Sequence, residues 1–187
     1  MNKRKVVAVY GSSRGEAGSA DYEQARSLGR QLAEAGFAVM NGGYGGTMQG
    51  VSQGANEAGG QVIGVTVELF ESSGMRGGAN PFVTEVVHFA SLRERLLHLI
   101  LACDAGVVLP GGLGTLTELM LTWNLVQVGE VPPRPFVLVG QAWADLLWQF
   151  YGDGRYIRAS DMTLWQAVES VDGVLPAIRQ WEADHAG

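Results

Sequence analysis

The chain has 187 residues, 47% of them hydrophobic, 27 of them glycine and one a cysteine, Cys103, with a formal net charge of −6 and a sequence pI near 5.0. Its length suits one well-packed domain spanning residues 1–187 and is short for two. The acidic balance argues against a general nucleic-acid binder, and a lone cysteine excludes an internal disulfide.

Lys3 and Lys5 are the only lysines, and both precede the first expected strand. A pyridoxal-phosphate enzyme needs a lysine for its Schiff base, and a Walker A loop needs one for phosphate, so neither chemistry fits. No apolar run reaches the roughly 20 residues of a membrane span. Met1 to Lys5 leads into a strand rather than a signal-peptide core, so a soluble, cytoplasmic protein without membrane contact is expected.

Lys5 to Tyr10 (KVVAVY) is a β-branched run that predicts a strand. The polar loop Gly11-Ser12-Ser13-Arg14-Gly15 follows it, either a ligand loop offering backbone donors and the Ser12 hydroxyl or a plain surface turn. Asp21 to Ala35 carries Tyr22, Ala25, Leu28, Leu32 and Ala35 at helical spacing and ends at Gly36. Phe37 to Met40 is the second strand. Asn41-Gly42-Gly43-Tyr44-Gly45-Gly46-Thr47 is a second glycine turn, leading into a helix from Thr47 to Ala58; it lacks clean G-x-G-x-x-G spacing. Gln61 to Val67 reads as a strand buried on both faces.

Glu68 to Pro81 is crowded with Ser, Gly and Pro and predicts a loop near the site. Phe82 to Phe89 reads as a strand. Ser91 opens a helix through a Ser91–Glu94 capping box, with Leu92, Leu96, Leu99, Ile100 and Cys103 as its apolar stripe. Arg93 and Arg95 flank that stripe, and from the pattern alone Arg95 is a solvated arginine on the helix shoulder.

Ala105 to Leu109 is a further strand, and Pro110-Gly111-Gly112-Leu113-Gly114-Thr115-Leu116-Thr117-Glu118 turns it into a helix running from Leu116 to Val128. Three glycines in four positions leave backbone N–H groups uncovered beside a helix N-terminus, which favours an anion such as phosphate. Thr115 and Glu118 also stand at capping-box spacing, so Glu118 is open to a capping or a chemical role. Beyond lie a proline-marked loop (Pro132, Pro133, Pro135), a strand at Phe136 to Val139 and a helix at Ala142 to Phe150. A strand at Thr163 to Val168 and a helix from Gly173 to Glu182 end the chain. Trp165 and Trp181 read as packing residues. His88, His98 and His185 have no metal-ligand spacing, so no metal is expected.

The run PGGLGTLTE resembles the PGGxGTxxE motif of the LOG (Lonely Guy) family, often labelled lysine decarboxylase, and the similarity extends from about Val6 to Trp181. Aligned on Asp104, the family's M-x-x-R-K motif falls on Leu92-Arg93-Glu94-Arg95-Leu96, and its GGGxxGLMG stretch on GGYGGTMQG, with Thr47 in place of a leucine. A PREI-like segment is not recognisable in Met75-Arg76-Gly77-Gly78. The resemblance implies a phosphoribohydrolase that splits a nucleoside 5′-monophosphate into base and ribose 5-phosphate without a cofactor, acting as a homodimer. It implies Arg95 and Glu118 as catalytic residues, with Ser12, Gly43, Gly45, Gly46, Thr47, Gly111, Gly112, Gly114 and Thr115 binding the nucleotide. A carboxylate one turn into a helix should stay ionised at neutral pH. Because the same fold includes molybdenum-cofactor carriers, a non-catalytic carrier and a nucleotide sensor stand as alternatives.

Strands alternating with helices predict an α/β fold, a Rossmann-like doubly wound parallel sheet with helices on both faces. Its ligand loops, after the first, second and Ala105 to Leu109 strands, then converge at the carboxyl edge.

Overall fold

The computed structural model describes residues 4–75 and 77–186, so Lys3 and Arg76 of the Met75–Gly78 segment lie outside the described residues. Among the described residues seven strands form one sheet: β1 (Val6–Tyr10), β2 (Ala38–Asn41), β3 (Val62–Val67), β4 (Glu85–Phe89), β5 (Ala105–Val108), β6 (Phe136–Val139) and β7 (Gln166–Val168). Their order is β4-β3-β2-β1-β5-β6-β7, and every neighbouring pair is parallel. The central strands consist mainly of valine and alanine because both their faces are covered.

Alternation along β1 sorts the helices into two layers. Val7 and Val9 face a core built with Ala25 and Leu28 of α1 (Ala20–Glu34), Val51 and Ala55 of α2 (Thr47–Glu57) and Ile178 of α7 (Val174–Asp184). Ala8 and Tyr10 face the other core, with Leu99 and Ile100 of α4 (Leu92–Leu101), Leu119 and Trp123 of α5 (Leu113–Gln127) and Leu147 of α6 (Gln141–Tyr151). The sheet is therefore doubly wound, as the alternation of elements predicts. Glycine sets the closeness of α1 and α2: a Cβ on Gly54 would stand 1.8 Å from the Arg26 carbonyl oxygen, and one on Gly29 would stand 2.0 Å from that of Val51.

Some boundaries differ from expectation. β4 begins at Glu85 rather than Phe82, because Asn80 turns the chain there: its Oδ1 accepts from the Phe82 N–H at 3.1 Å and its carbonyl from the Val83 N–H at 3.2 Å. The Glu68–Pro81 stretch is not all loop, since Glu68–Ser72 forms a short helix, α3. Ala159–Thr163 is a 3-10 turn, which leaves only Gln166–Val168 as strand. Trp165 is buried against Trp123 and Trp148, whereas Trp181 stacks on His185 at 4.0 Å.

The chain departs to opposite sides of the sheet from the neighbours β1 and β5. A crevice opens at their carboxyl ends, the usual place for a ligand in such sheets.

Candidate active site

The β5–α5 turn is tighter than the capping-box reading requires. Helix α5 starts at Leu113, with Gly112 as N-cap and, among the described residues, no side-chain cap. Thr115 is thus the third residue of the helix rather than its cap, and it is buried. Its hydroxyl fills the space beside Gly111, where a Cβ would stand 2.1 Å from Thr115 Oγ1. The Thr115–Glu118 capping box does not form, and Glu118 is free for another role. The Ser91–Glu94 box at the start of α4 does form, through Ser91 N–H to Glu94 Oε2 at 3.2 Å and Glu94 N–H to Ser91 Oγ at 3.3 Å.

Glu118 lies in the second turn of α5 and is only 8% exposed. Burial pushes its carboxyl up to about 7, and Arg95 partly opposes that rise. This corrects the expectation of a fully ionised carboxylate. The helix dipole fades within the first turn, while desolvation of a buried acid is a larger effect of the opposite sign.

Arg95 is not on a solvated shoulder either; it is 7% exposed while Arg93 faces water. Its Nε donates to the Val65 carbonyl at 2.8 Å and its Nη2 to the Gly42 carbonyl at 3.3 Å. The ring of Tyr44 lies 5.8 Å from its Cζ and that of Phe70 6.0 Å away, within cation–π range.

Both groups open into a cavity of about 820 Å³ at the carboxyl edge of the sheet. Its walls are the β1–α1 loop from Gly11 to Arg14, the β5–α5 turn from Pro110 to Thr115, and Tyr44, Phe70, Leu92 and Leu96. Among the residues singled out from sequence, Ser12, Arg95, Gly111, Gly112, Gly114, Thr115 and Glu118 come together on this lining. Gly43, Gly45, Gly46 and Thr47 do not line it. They stand behind the first loop: the backbone N–H and hydroxyl of Thr47 both donate to the Ser12 carbonyl, at 2.9 and 3.0 Å. Gly46, at φ +71°, lies so close that a Cβ would be 2.5 Å from that same oxygen.

Tyr44 and Phe70 line the cavity without having been singled out. Phe70 sits in a Ser- and Gly-rich stretch with no periodicity to mark it. The one available signal for Tyr44 is a bulky side chain between two pairs of glycines. Among the described residues no group of three or more His, Cys, Asp or Glu is placed to hold a metal ion, and no helix is long and apolar enough to cross a membrane. Lys5 is exposed and pairs with Glu182 at 2.7 Å, ahead of β1 and so at the opposite edge of the sheet from the cavity.

The family model described as "Possible lysine decarboxylase" matches residues 48–178, which include Arg95 and Glu118. Cytokinin riboside 5′-monophosphate phosphoribohydrolase LOG of Oryza sativa subsp. japonica is 33% identical over 133 residues, covering 69% of this chain and 53% of the relative. The chain thus spans about half the length of the curated relatives it matches. Among solved structures, the molybdenum cofactor binding protein of Rippkaea orientalis aligns with a TM-score of 0.72 at 23% identity, over 96% of this chain and 98% of that one, a likeness of fold alone. A structural genomics target solved by X-ray crystallography aligns with a TM-score of 0.74 at 27% identity, over 94% of this chain and 99% of that one.

Proposed function

Because the chain belongs to the LOG family, we propose that it hydrolyses the N-glycosidic bond of an adenosine 5′-monophosphate, with or without an N6 substituent, releasing the base and ribose 5-phosphate. The observation that carries this reading is a buried carboxyl, Glu118, beside a buried arginine, Arg95, in a cavity rimmed by an uncapped helix N-terminus.

The phosphate is the handle. The backbone at Gly111, Gly112, Gly114 and Thr115 offers N–H groups at the start of α5, which among the described residues has no side-chain cap, and Ser12 joins the same lining from the β1–α1 loop. Gly43, Gly45, Gly46 and Thr47 act from behind by fixing that loop. Binding energy gained at the phosphate positions the glycosidic bond over the carboxyl. Rupture of that bond builds positive charge on the ribose, and ionised Glu118 stabilises the charge and orients the attacking water. Arg95 holds Glu118 toward its ionised form and supports the departing base. Among the described residues no lysine lines the cavity for a Schiff base, which favours a hydrolytic over a decarboxylating reading of the site. The protein is further proposed to work as a homodimer in the cytoplasm, with exposed Leu97 and Leu101 of α4 offering an apolar face.

A non-catalytic carrier, or a sensor that reports nucleotide binding, is the second reading. Leu92 and Leu96 favour it: both line the cavity where the family motif has methionine and lysine, so one cation is lost from the pocket.

Base release from AMP and from its N6-isopentenyl form tests the proposal. Wild type should release base, and Arg95→Ala should lower kcat by about 10²-fold. AMP binding without release of either base would favour the carrier or sensor. Because the reacting form of Glu118 is the ionised one and its carboxyl titrates at about 7, kcat/KM should climb from pH 6 to pH 8. A flat or falling profile would contradict the role given to Glu118.

Gly42→Ala provides a subtler test. A Cβ there would stand 2.1 Å from Arg95 Nη2 and 2.7 Å from Met48 Sδ, the mobile parts of long side chains rather than backbone. The fold should accommodate it with little change in Tm, while displacing Arg95 should lower kcat by roughly 10-fold to 10²-fold. Unchanged kcat in a folded variant would count against the placement of Arg95.

A further inference from the structure

We propose that Tyr44 is a positioning residue of this site, its ring, tied down by its hydroxyl, holding the guanidinium of Arg95 toward Glu118. The inference rests on the reading of Arg95 and Glu118 as the reacting pair.

Tyr44 is the one bulky residue in the turn Gly42-Gly43-Tyr44-Gly45-Gly46, and it is 3% exposed. Side chains fix the turn around it. Asn41 Oδ1 accepts from the Gly43 N–H at 2.8 Å, and Asn80 Nδ2 donates to the carbonyls of Gly43 and Tyr44, each at 3.1 Å. The Tyr44 hydroxyl reaches across to β3. It accepts from the Val67 N–H at 2.8 Å, and its own proton has the Val67 carbonyl at 3.3 Å and Glu71 Oε1 at 3.4 Å as acceptors.

That bridge joins the two segments that hold Arg95. The Gly42 carbonyl, which accepts from Nη2, lies two residues before Tyr44; the Val65 carbonyl, which accepts from Nε, lies two residues before Val67. One hydroxyl therefore ties both acceptors into a single frame, and the Tyr44 ring, 5.8 Å from the Arg95 Cζ, sets the side from which the guanidinium is packed. A long cation with several rotatable bonds needs such packing to keep one orientation. Phe70 closes the same space, its ring 5.9 Å from that of Tyr44.

The test reads Glu118 directly. In the 187-residue chain carrying carboxyl-13C glutamate, the Glu118 signal is identified by its loss in Glu118→Gln and titrated in wild type, Tyr44→Phe, Tyr44→Leu and Tyr44→Met. Displacing Arg95 removes charge that opposes the rise of Glu118, so Tyr44→Leu and Tyr44→Met should move the midpoint upward by about 1 pH unit. For AMP hydrolysis they should lower kcat by about 10-fold or more, with KM within about 3-fold of wild type. Tyr44→Phe keeps the ring but loses its tie to Val67, so both values should fall between wild type and the Leu and Met variants. Two substitutions are used because methionine fills the space of the ring better than leucine, which guards against a packing failure. A folded Leu or Met variant with the wild-type midpoint, or a Phe variant displaced as far as they are, overturns the proposal. Since the titration needs no turnover, a wild type that releases no base contradicts the hydrolase while Tyr44 is still decided by the midpoints.

Discussion

Glu118→Gln is expected to abolish base release and, at the same time, to stabilise the folded chain above pH 7. The catalytic loss should be about 10³-fold in kcat/KM, because glutamine keeps the shape but supplies neither negative charge nor a proton acceptor. The stability gain follows from linkage. An unfolded glutamate loses its proton near 4.5, whereas buried Glu118 holds its proton up to about 7. Across that window the folded state binds more protons, so stability falls as pH rises, fully retained below 4.5 and lost by the time pH passes 7. The shift corresponds to a loss on the order of 3 kcal/mol. Glutamine suffers no such loss, and Arg95 keeps the Val65 and Gly42 carbonyls as partners in the variant. Thermal melts should show Glu118→Gln several degrees above wild type at pH 8 and close to it at pH 5. A variant less stable than wild type at pH 8 would mean that the carboxylate is needed to hold Arg95, and the balance of burial against charge would have to be redrawn.

Gly54→Ala should have the largest effect on stability. Helix propensity alone favours alanine over glycine by about 1 kcal/mol in a helix interior. Packing reverses the sign, because the new Cβ would stand 1.8 Å from the Arg26 carbonyl oxygen and 2.7 Å from its carbon, backbone atoms that cannot turn aside. Gly29 makes the reciprocal approach, so α1 and α2 would have to separate along their contact. Overpacking of this kind costs roughly 3 kcal/mol, which in a chain of this size lowers Tm by about 10 °C. The consequence extends to the site: α2 begins at Thr47, which holds the Ser12 carbonyl, so AMP should bind more weakly as well. A Tm at or above wild type would show that the helices are not in contact at Gly54.

Much of this architecture was legible from residues alone. Short apolar runs beside glycines mark β1, β2, β3 and β5, and their alternation with amphipathic stretches was enough for a doubly wound sheet. Arg95 and Glu118 could be picked from one motif and one alignment, and they do fall on the same cavity. What escaped depends on three-dimensional context. Glycine at 112 takes the cap position, so α5 starts a turn early and Thr115 points at Gly111 instead of at a helix end. Spacing could not separate these two starts, because T-x-x-E is equally present in both. The second glycine turn looked like a ligand loop, yet Gly43, Gly45, Gly46 and Thr47 stand behind the β1–α1 loop. Its positive-φ glycines serve close backbone approach, which sequence cannot distinguish from approach to a phosphate. Tyr44 and Phe70 follow no period, and the protonation of Glu118 depends on burial that only the folded chain supplies.

Quantifying adenine and ribose 5-phosphate released from AMP, in one assay at pH 6 and pH 8, bears most directly on the claim that a buried carboxylate drives glycosidic cleavage here. Equal amounts of the two products, formed faster at pH 8 and absent in Glu118→Gln, are the result expected. Saturable AMP binding with neither product at either pH would contradict it and leave the cavity as a binding site without turnover.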